Sequence, residues 1–406
     1  MPTAFDVRAL TSTVRIELDD TLSAGEQKTI KSQWADLLVE ESDEPTTTIR
    51  GSVSAAIADV RARAARSITL RTAAELADRI TTEVTLSGIR PLQGKALMLH
   101  AAAVALDDGR VIGFVGPSGR GKTTASKALG RAFGYVTDET LAIRPDGSVV
   151  PYPKPLSIGA RPGPKQPTPA SGMGLRPVSG DGLQIAALVL LDRRSDVVQP
   201  YVESLSITEA LPELVPHTSY LAAMHRPLRT LAERVRSTGG VRRVVYSEAD
   251  SLPGLVDQIL ADVSTEAHTL SDVTSTYRRD CDCFAELLPD TPILAGVPTN
   301  GGYADSYWRT DHTDALLVDD LLLVLRRHQV LVLEGVGPTA WLAASGSTED
   351  EIRQAVLRQL PAPPEGVDPA EAVARALKEM TSAQLLTRRR DGDGDGDGDG
   401  DGEIER

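Results

Sequence analysis

Two cysteines, Cys281 and Cys283, are all that 406 residues contain. One C-x-C pair cannot staple a chain of this length, so no disulfide framework is implied and a reducing cytosol is the expected compartment. Metal binding needs further ligands at suitable spacing, and none cluster around this pair. Long apolar runs are missing too. No stretch approaches the roughly 18 residues that a membrane-spanning helix requires, so no membrane partner is expected. The N-terminal stretch MPTAFDVRALTSTVRIELDD has no apolar h-region and is already acidic, so no secretory signal is expected. Basic residues are in deficit, with 43 Lys and Arg against 57 Asp and Glu and a net charge of −14. Without a basic stripe, duplex nucleic acid is not an expected partner. Half of the excess lies in residues 391–406, whose six Asp, two Glu and one Arg carry −7. These Asp-Gly repeats have nothing to bury, and residues 389–406 read as a disordered, solvated tail.

What is present begins with 41% apolar residues, enough for ordinary cores, in a chain long enough for two or three domains. The most specific segment is Gly116-Pro-Ser-Gly-Arg-Gly-Lys-Thr123, a full G-x-x-x-x-G-K-[ST] match. Gly116, Gly119 and Gly121 let the backbone turn so that its N–H groups face inward as an anion nest. Lys122 supplies a charge for the β- and γ-phosphates of a nucleotide, and the Thr123 hydroxyl is placed to ligate Mg²⁺. Ser118 and Thr124 belong to the same cradle, and Arg120 either reaches phosphate or stays exposed. The apolar run at 111–115 predicts a strand and 124–133 a helix, the order such a loop requires.

Phosphoryl transfer also needs carboxylates. Asp138 and Glu139 end a short strand expected beside the loop strand, at the edge where open parallel sheets bind ligands. Asp138 suits the role of base or nucleophile-orienting group, and Glu139 a metal or water contact. Asp192, at the end of the apolar run 185–191, is the rival Mg²⁺ carboxylate. His100 lies in an apolar run, and its chemistry alone suits a satisfied core residue. Lys154 follows a proline near these groups and suits either a phosphate contact or a solvated loop.

Along the chain, residues 1–93 read as a small α/β region acting as a lid or packing partner, with strands over 12–18 and 46–53 and helices over 24–39 and 73–89. Residues 94–264 form the phosphate-binding region, with a hairpin around Asp146-Gly147, a mobile Pro/Gly loop over 160–175, helices over 206–215, 219–235 and 252–263, and a strand over 241–246. Residues 265–303 read as a linker. Residues 304–388 form a winged-helix-like module: apolar strands over 315–324 and 329–334, then helices, one starting at a capping box from Ser347.

Leu99-His100-Ala-Ala-Ala-Val, GPSGRGKTT, Tyr135-Val-Thr-Asp138-Glu139 and Tyr152-Pro-Lys154-Pro-Leu-Ser together resemble the HPr kinase/phosphorylase-related P-loop kinases. That family commonly carries Asp-Asp where this chain has Asp138-Glu139. The resemblance implies that His100 lines the active site and that Asp138 acts on a serine hydroxyl of a protein substrate. It also favours Lys154 as a phosphate or substrate contact, and implies a homo-oligomer, since related kinases often form rings. The C-terminal run from Leu316 through Trp341 to the helix after Ser347 resembles the PqqD family, small domains that recognise leader peptides by strand addition. Trp341 itself reads as core.

These readings predict an α/β chain with a P-loop kinase core of HPr-kinase type, a small N-terminal α/β region and a PqqD-like C-terminal domain. The expected activity is ATP- and Mg²⁺-dependent phosphorylation of a Ser or Thr hydroxyl in a peptide or protein, such as a ribosomal peptide precursor. The alternatives are a kinase for a free-serine-like small molecule and a non-catalytic, nucleotide-gated peptide-binding protein.

Overall fold

A computed structural model describes residues 2–54, 67–116, 122–159, 163–179, 182–261, 268–273, 305–361, 366 and 368–389. The chain divides into two compact units, Met1–Ala267 and His268–Arg406, each mixing sheet and helix.

The first unit opens with β1 (Thr3–Ala9), β2 (Ser12–Leu18), α1 (Ala24–Ser32), β3 (Leu38–Val39), β4 (Thr47–Val53), β5 (Ser67–Leu70) and α2 (Ala73–Ile89). The strands form one sheet in the order β3-β1-β2-β4-β5. Strict alternation in β2 buries Val14, Ile16 and Leu18 on one face. Capping boxes start both helices, Ser23 with Glu26 and Thr72 with Glu75. The spacing of Ile30, Trp34, Leu37 and Leu38 predicted a helix through residue 39, but α1 ends at Ser32. Leu38 and Val39 instead pair with Val7 and Asp6, because an open sheet edge offers their backbone partners.

The same unit continues with β6 (Leu97–Ala105), β7 (Arg110–Val115), α3 (Lys122–Ala132), β8 (Gly134–Thr137), β9 (Thr140–Ile143), β10 (Val149–Val150), β11 (Leu156–Ile158), β12 (Gln166–Thr168), β13 (Gln184–Arg193), β14 (Tyr201–Leu205), α4 (Ile207–Leu214), β15 (Thr218–Ser219), α5 (Pro227–Ser237), β16 (Val241–Tyr246) and α6 (Val256–Leu260). The main sheet runs β10-β9-β6-β7-β13-β16-β14, with β8 and β15 also paired to β6. β7, β13 and β16 are mutually parallel. Their continuous apolar runs fit strands covered on both faces. On one face Ala125 and Leu129 of α3 pack with Phe114, Val189, Val244 and Leu252. At Gly113 a Cβ would meet Leu141 Cδ2 at 2.4 Å, so β7 needs glycine there to sit beneath that leucine.

Three further expectations change. The helix predicted over 219–235 starts only at Pro227, after β15 and a 3₁₀ turn at Leu221–Ala223. Arg226, at φ 46°, ends the preceding turn, and Pro227 stands at the first helical position. The predicted mobile loop over 160–175 contains β12, which pairs with β11 just before the loop, and a 3₁₀ turn at Ser171–Met173, while residues 160–162 lie outside the described ones. The helix predicted over 252–263 is a 3₁₀ turn through Pro253 followed by the short α6.

One core spans the two larger sheets of this unit. Trp34, Ile80 and Val84 pack with Met98, Ala142 and Tyr152, and the Thr85 and Tyr152 hydroxyls meet at 3.0 Å.

The second unit contains β17 (Leu270–Asp272), β18 (Ser306–Arg309), β19 (Asp314–Val318), β20 (Leu321–Arg326), β21 (Gln329–Leu333), α7 (Gly337–Ala343), β22 (Ser345–Thr348), α8 (Glu349–Gln359), α9 (Pro369–Ser382) and β23 (Leu386–Arg389). Two sheets form, β17-β19-β20-β21 and β22-β18-β23. The apolar run over 315–324 is two strands, broken where Asp319 turns at φ 52°. The cap of α8 is Thr348 with Glu351, one residue beyond the predicted Ser347, which belongs to β22. Trp341 is fully buried, with Ile352, Val373 and Leu377 in the same cluster. Cys281, Cys283 and the tail beyond Arg389 lie outside the described residues.

Candidate functional site

The site is organised around β6. On one edge its ladder with β8 ends at Thr137, opposite Ala103, and its ladder with β9 begins at Thr140, opposite His100. Asp138 and Glu139 fill the interval, and Ala101 N donates to Glu139 O at 3.1 Å. On the other edge β7 leaves after Val115, opposite Ala101, and β15 joins at Thr218, opposite Leu99. Gly116 and His217 flank this second interval. The acidic strand β8 is therefore not beside the loop strand, as the sequence suggested, because β6 lies between them. Both are antiparallel to β6, so they run the same way and end on the same side.

Of the phosphate-loop residues, Ser118, Gly119, Arg120 and Gly121 lie outside the described residues. Gly116 directly follows β7, and α3 begins at Lys122. Thr123 is half-buried and Thr124 exposed. The Lys122 side chain folds back so that Nζ donates to Gly116 O at 2.7 Å. Burial lowers its pKa to about 8, with Asp138 and Glu139 pulling the other way. Those carboxylates are thus within electrostatic reach of the loop lysine.

Asp138 is buried, and the Tyr135 hydroxyl donates to its Oδ1 at 3.1 Å. Thr137 Oγ1 accepts from the Glu139 and Thr140 amides at 3.2 and 3.3 Å, which fixes the turn that presents both acids. Lys154 is 3% exposed. Its Nζ lies 2.5 Å from Glu139 Oε2 and 4.0 Å from Asp138 Oδ1, so the ammonium is directed at the acidic pair and is no solvated loop lysine. Burial opposes its charge, but the two carboxylates outweigh it and hold the pKa above the ordinary lysine value. Burial raises the Asp138 carboxyl, and Lys154 only partly offsets this. Burial would raise Glu139 as well, but there Lys154 wins and holds the carboxyl below its usual range. Two adjacent acids are thus driven apart, the pattern expected of a base beside a permanent anion.

His100 is half-buried, and its Nδ1 lies 3.1 Å from Glu139 O. Burial, then the Lys122 charge, depress its pKa, so the ring is neutral at pH 7. His217 was not singled out in the sequence. It precedes β15, and burial with the Lys122 and His100 charges depresses its pKa too. Asp192 does not join this group: its Oδ2 accepts from Arg194 at 2.6 and 2.9 Å. Lys165, immediately before β12, adds its charge to those lowering Glu139.

Among the described residues no group of three or more His, Cys, Asp and Glu converges on a metal position. Mg²⁺ bound with phosphates needs only one or two protein oxygens, and Thr123 and Glu139 have the right donor chemistry. Among the described residues no helix is long and apolar enough to cross a membrane.

No protein-family model matches the sequence, and no curated protein matches it. Among solved structures, the HPr(Ser) kinase/phosphatase from Coxiella burnetii aligns over 40% of this chain and 93% of its own, with 13% identity and a TM-score of 0.23. At that score the likeness bears no weight on fold or function.

Proposed function

We propose that the chain is an ATP-dependent kinase acting on a hydroxyl. One observation carries the reading: a buried carboxyl with a raised pKa, Asp138, stands within electrostatic reach of Lys122 of a G-x-x-x-x-G-K-T loop. In this reading Asp138 takes the proton from the acceptor hydroxyl. That oxygen forms a bond to the γ-phosphorus as the bond to the bridging oxygen breaks, and ADP leaves. Lys122 and the loop amides offset charge that builds on the phosphoryl oxygens. Bound Mg²⁺, held by Thr123 and Glu139, would neutralise the same oxygens. Lys154 keeps Glu139 ionised, and His100 and His217 line the approach as neutral rings. Asp192 is left outside, since Arg194 already engages it.

The acceptor we favour is a Ser or Thr of a peptide or protein, with the second unit as a PqqD-like peptide reader. The support for that part is the sequence pattern around Trp341. An Asp138→Asn variant is expected to bind ATP within about threefold of the parent and to lose about 10²–10⁴-fold in transfer. The check is a γ-labelled ATP assay beside calorimetric ATP titration, and retained transfer would refute the assignment.

A further inference from the structure

The chain leaves α4 through a 3₁₀ turn at Val215–His217, in which Pro216 fixes the backbone. Thr218 closes the turn, its Oγ1 donating to Val215 O at 2.7 Å, and then pairs with Leu99. One step along from that antiparallel pair, His217 comes level with His100. The same edge of β6 receives Val115 opposite Ala101, so Gly116 enters the G-x-x-x-x-G-K-T segment next to His217. The charges of Lys122 and His100 both act on the His217 ring, which places it near each. Yet this ring has no task in the fold. Among the described residues neither of its nitrogens has a hydrogen-bond partner. The residue is half-buried, and neither nitrogen is among the sealed polar atoms of the described residues.

The two imidazoles differ in what they can offer an anion. His100 Nδ1 faces Glu139 O, and a carbonyl only accepts. The neutral His100 ring therefore carries its proton on Nδ1, and its Nε2 has no hydrogen to give a phosphate oxygen. His217 has no such constraint and can carry its proton on either nitrogen. Its place also selects the phosphate. The lysine of such a segment reaches the β- and γ-phosphates, and His217 lies near Lys122. On the far side, His100 lies between His217 and the interval that holds Asp138. A donor there faces the phosphoryl group in transfer, not the base. We infer that His217 is a further catalytic residue, donating one ring N–H to an oxygen of the γ-phosphoryl group beside the Lys122 ammonium. This rests on the kinase reading. His217 keeps its proton throughout, since the acceptor's proton goes to Asp138, and its bond offsets charge on the transferring group.

The probes are MgADP and the magnesium complex of AMP-PNP, whose β–γ imido bridge blocks transfer, each titrated calorimetrically into the full chain. His217→Leu removes both nitrogens at similar bulk, and His217→Gln returns an N–H donor. The Leu variant is expected to bind AMP-PNP about tenfold more weakly, the scale of one hydrogen bond to a charged group, and ADP within about twofold of the parent. The Gln variant should recover most of the loss. Unchanged ADP binding also shows that the variant is folded. A ring that only packs beneath β15 would, when lost, weaken both nucleotides alike or neither, and either result overturns the proposal. Transfer is scored separately with γ-labelled ATP, using water and a library of serine-containing peptides as acceptors. Equal AMP-PNP affinities in a chain that transfers label overturn the His217 contact and leave the kinase reading standing. A loss specific to AMP-PNP in a chain that transfers none supports the contact and overturns the kinase reading. A parent that binds neither nucleotide overturns both.

Discussion

Replacing Lys154 by methionine tests the electrostatics of the site in the folded chain without any ligand. The ammonium is 3% exposed and sits 2.5 Å from Glu139 and 4.0 Å from Asp138. Removing one member of a buried ion pair costs about 3–5 kcal/mol, because the remaining charge is left uncompensated. With a urea slope near 3 kcal/mol/M, the unfolding midpoint should fall by about 1–1.7 M at pH 7.5. The pH dependence has a definite sign. In the parent, Glu139 is held below its unfolded value, so its contribution is present above about pH 4.3 and is lost as pH falls through the lowered value. In the variant, burial without the cation raises both carboxyls above their unfolded values. That penalty is full at neutral pH and shrinks as the acids protonate. The gap between parent and variant should therefore narrow at pH 4.5. The assay is urea unfolding followed by amide exchange in β6, at both pH values. A midpoint shift under about 0.3 M at pH 7.5, or an equal gap at pH 4.5, would refute the reasoning. Adding Glu139→Gln to Lys154→Met should recover part of the loss.

Two further outcomes are expected. Lys122, with its pKa lowered to about 8, is ionised at pH 7 and mostly neutral at pH 9. If phosphate binding selects the ammonium, ATP affinity falls about tenfold between these values, and Lys122→Met abolishes the slope; titration calorimetry reads both. Gly113→Ala would drive a methyl against Leu141 Cδ2, for which an overpacking loss of about 1–3 kcal/mol is expected in urea unfolding.

The strand before the G-x-x-x-x-G-K-T segment and the helix after it were legible because apolar periodicity is a local signal, while residues 117–121 of that segment lie outside the described residues. The same holds for α2, whose predicted bounds of 73 and 89 match, and for Asp138 and Glu139, which end a short apolar run. What stayed hidden depends on partners remote in sequence. His217 comes to the site because two residues, Thr218 and Ser219, pair with Leu99 and Met98, and nothing in Val-Pro-His-Thr-Ser signals that pairing. Lys165 lies in a segment whose prolines and glycines suggest a loop, yet three residues on each side suffice for a hairpin. α1 stopped early because the open edge of β1 outweighed helical spacing in Leu38 and Val39. Only the folded chain reveals that the Gln33 carbonyl oxygen is buried without a hydrogen-bond partner among the described residues.

The paired intervals on β6 act as a ruler. Glu139 bonds to Ala101 on one edge, and Val115 faces Ala101 on the other, just before Gly116. Two strand spacings, about 9.5 Å in all, therefore set the distance between the backbone carrying the carboxylates and the backbone entering the phosphate loop. Hydrogen bonds fix that span. A one-residue insertion between Thr137 and Thr140 would turn the acids to the wrong face while leaving every chemical group in the chain intact.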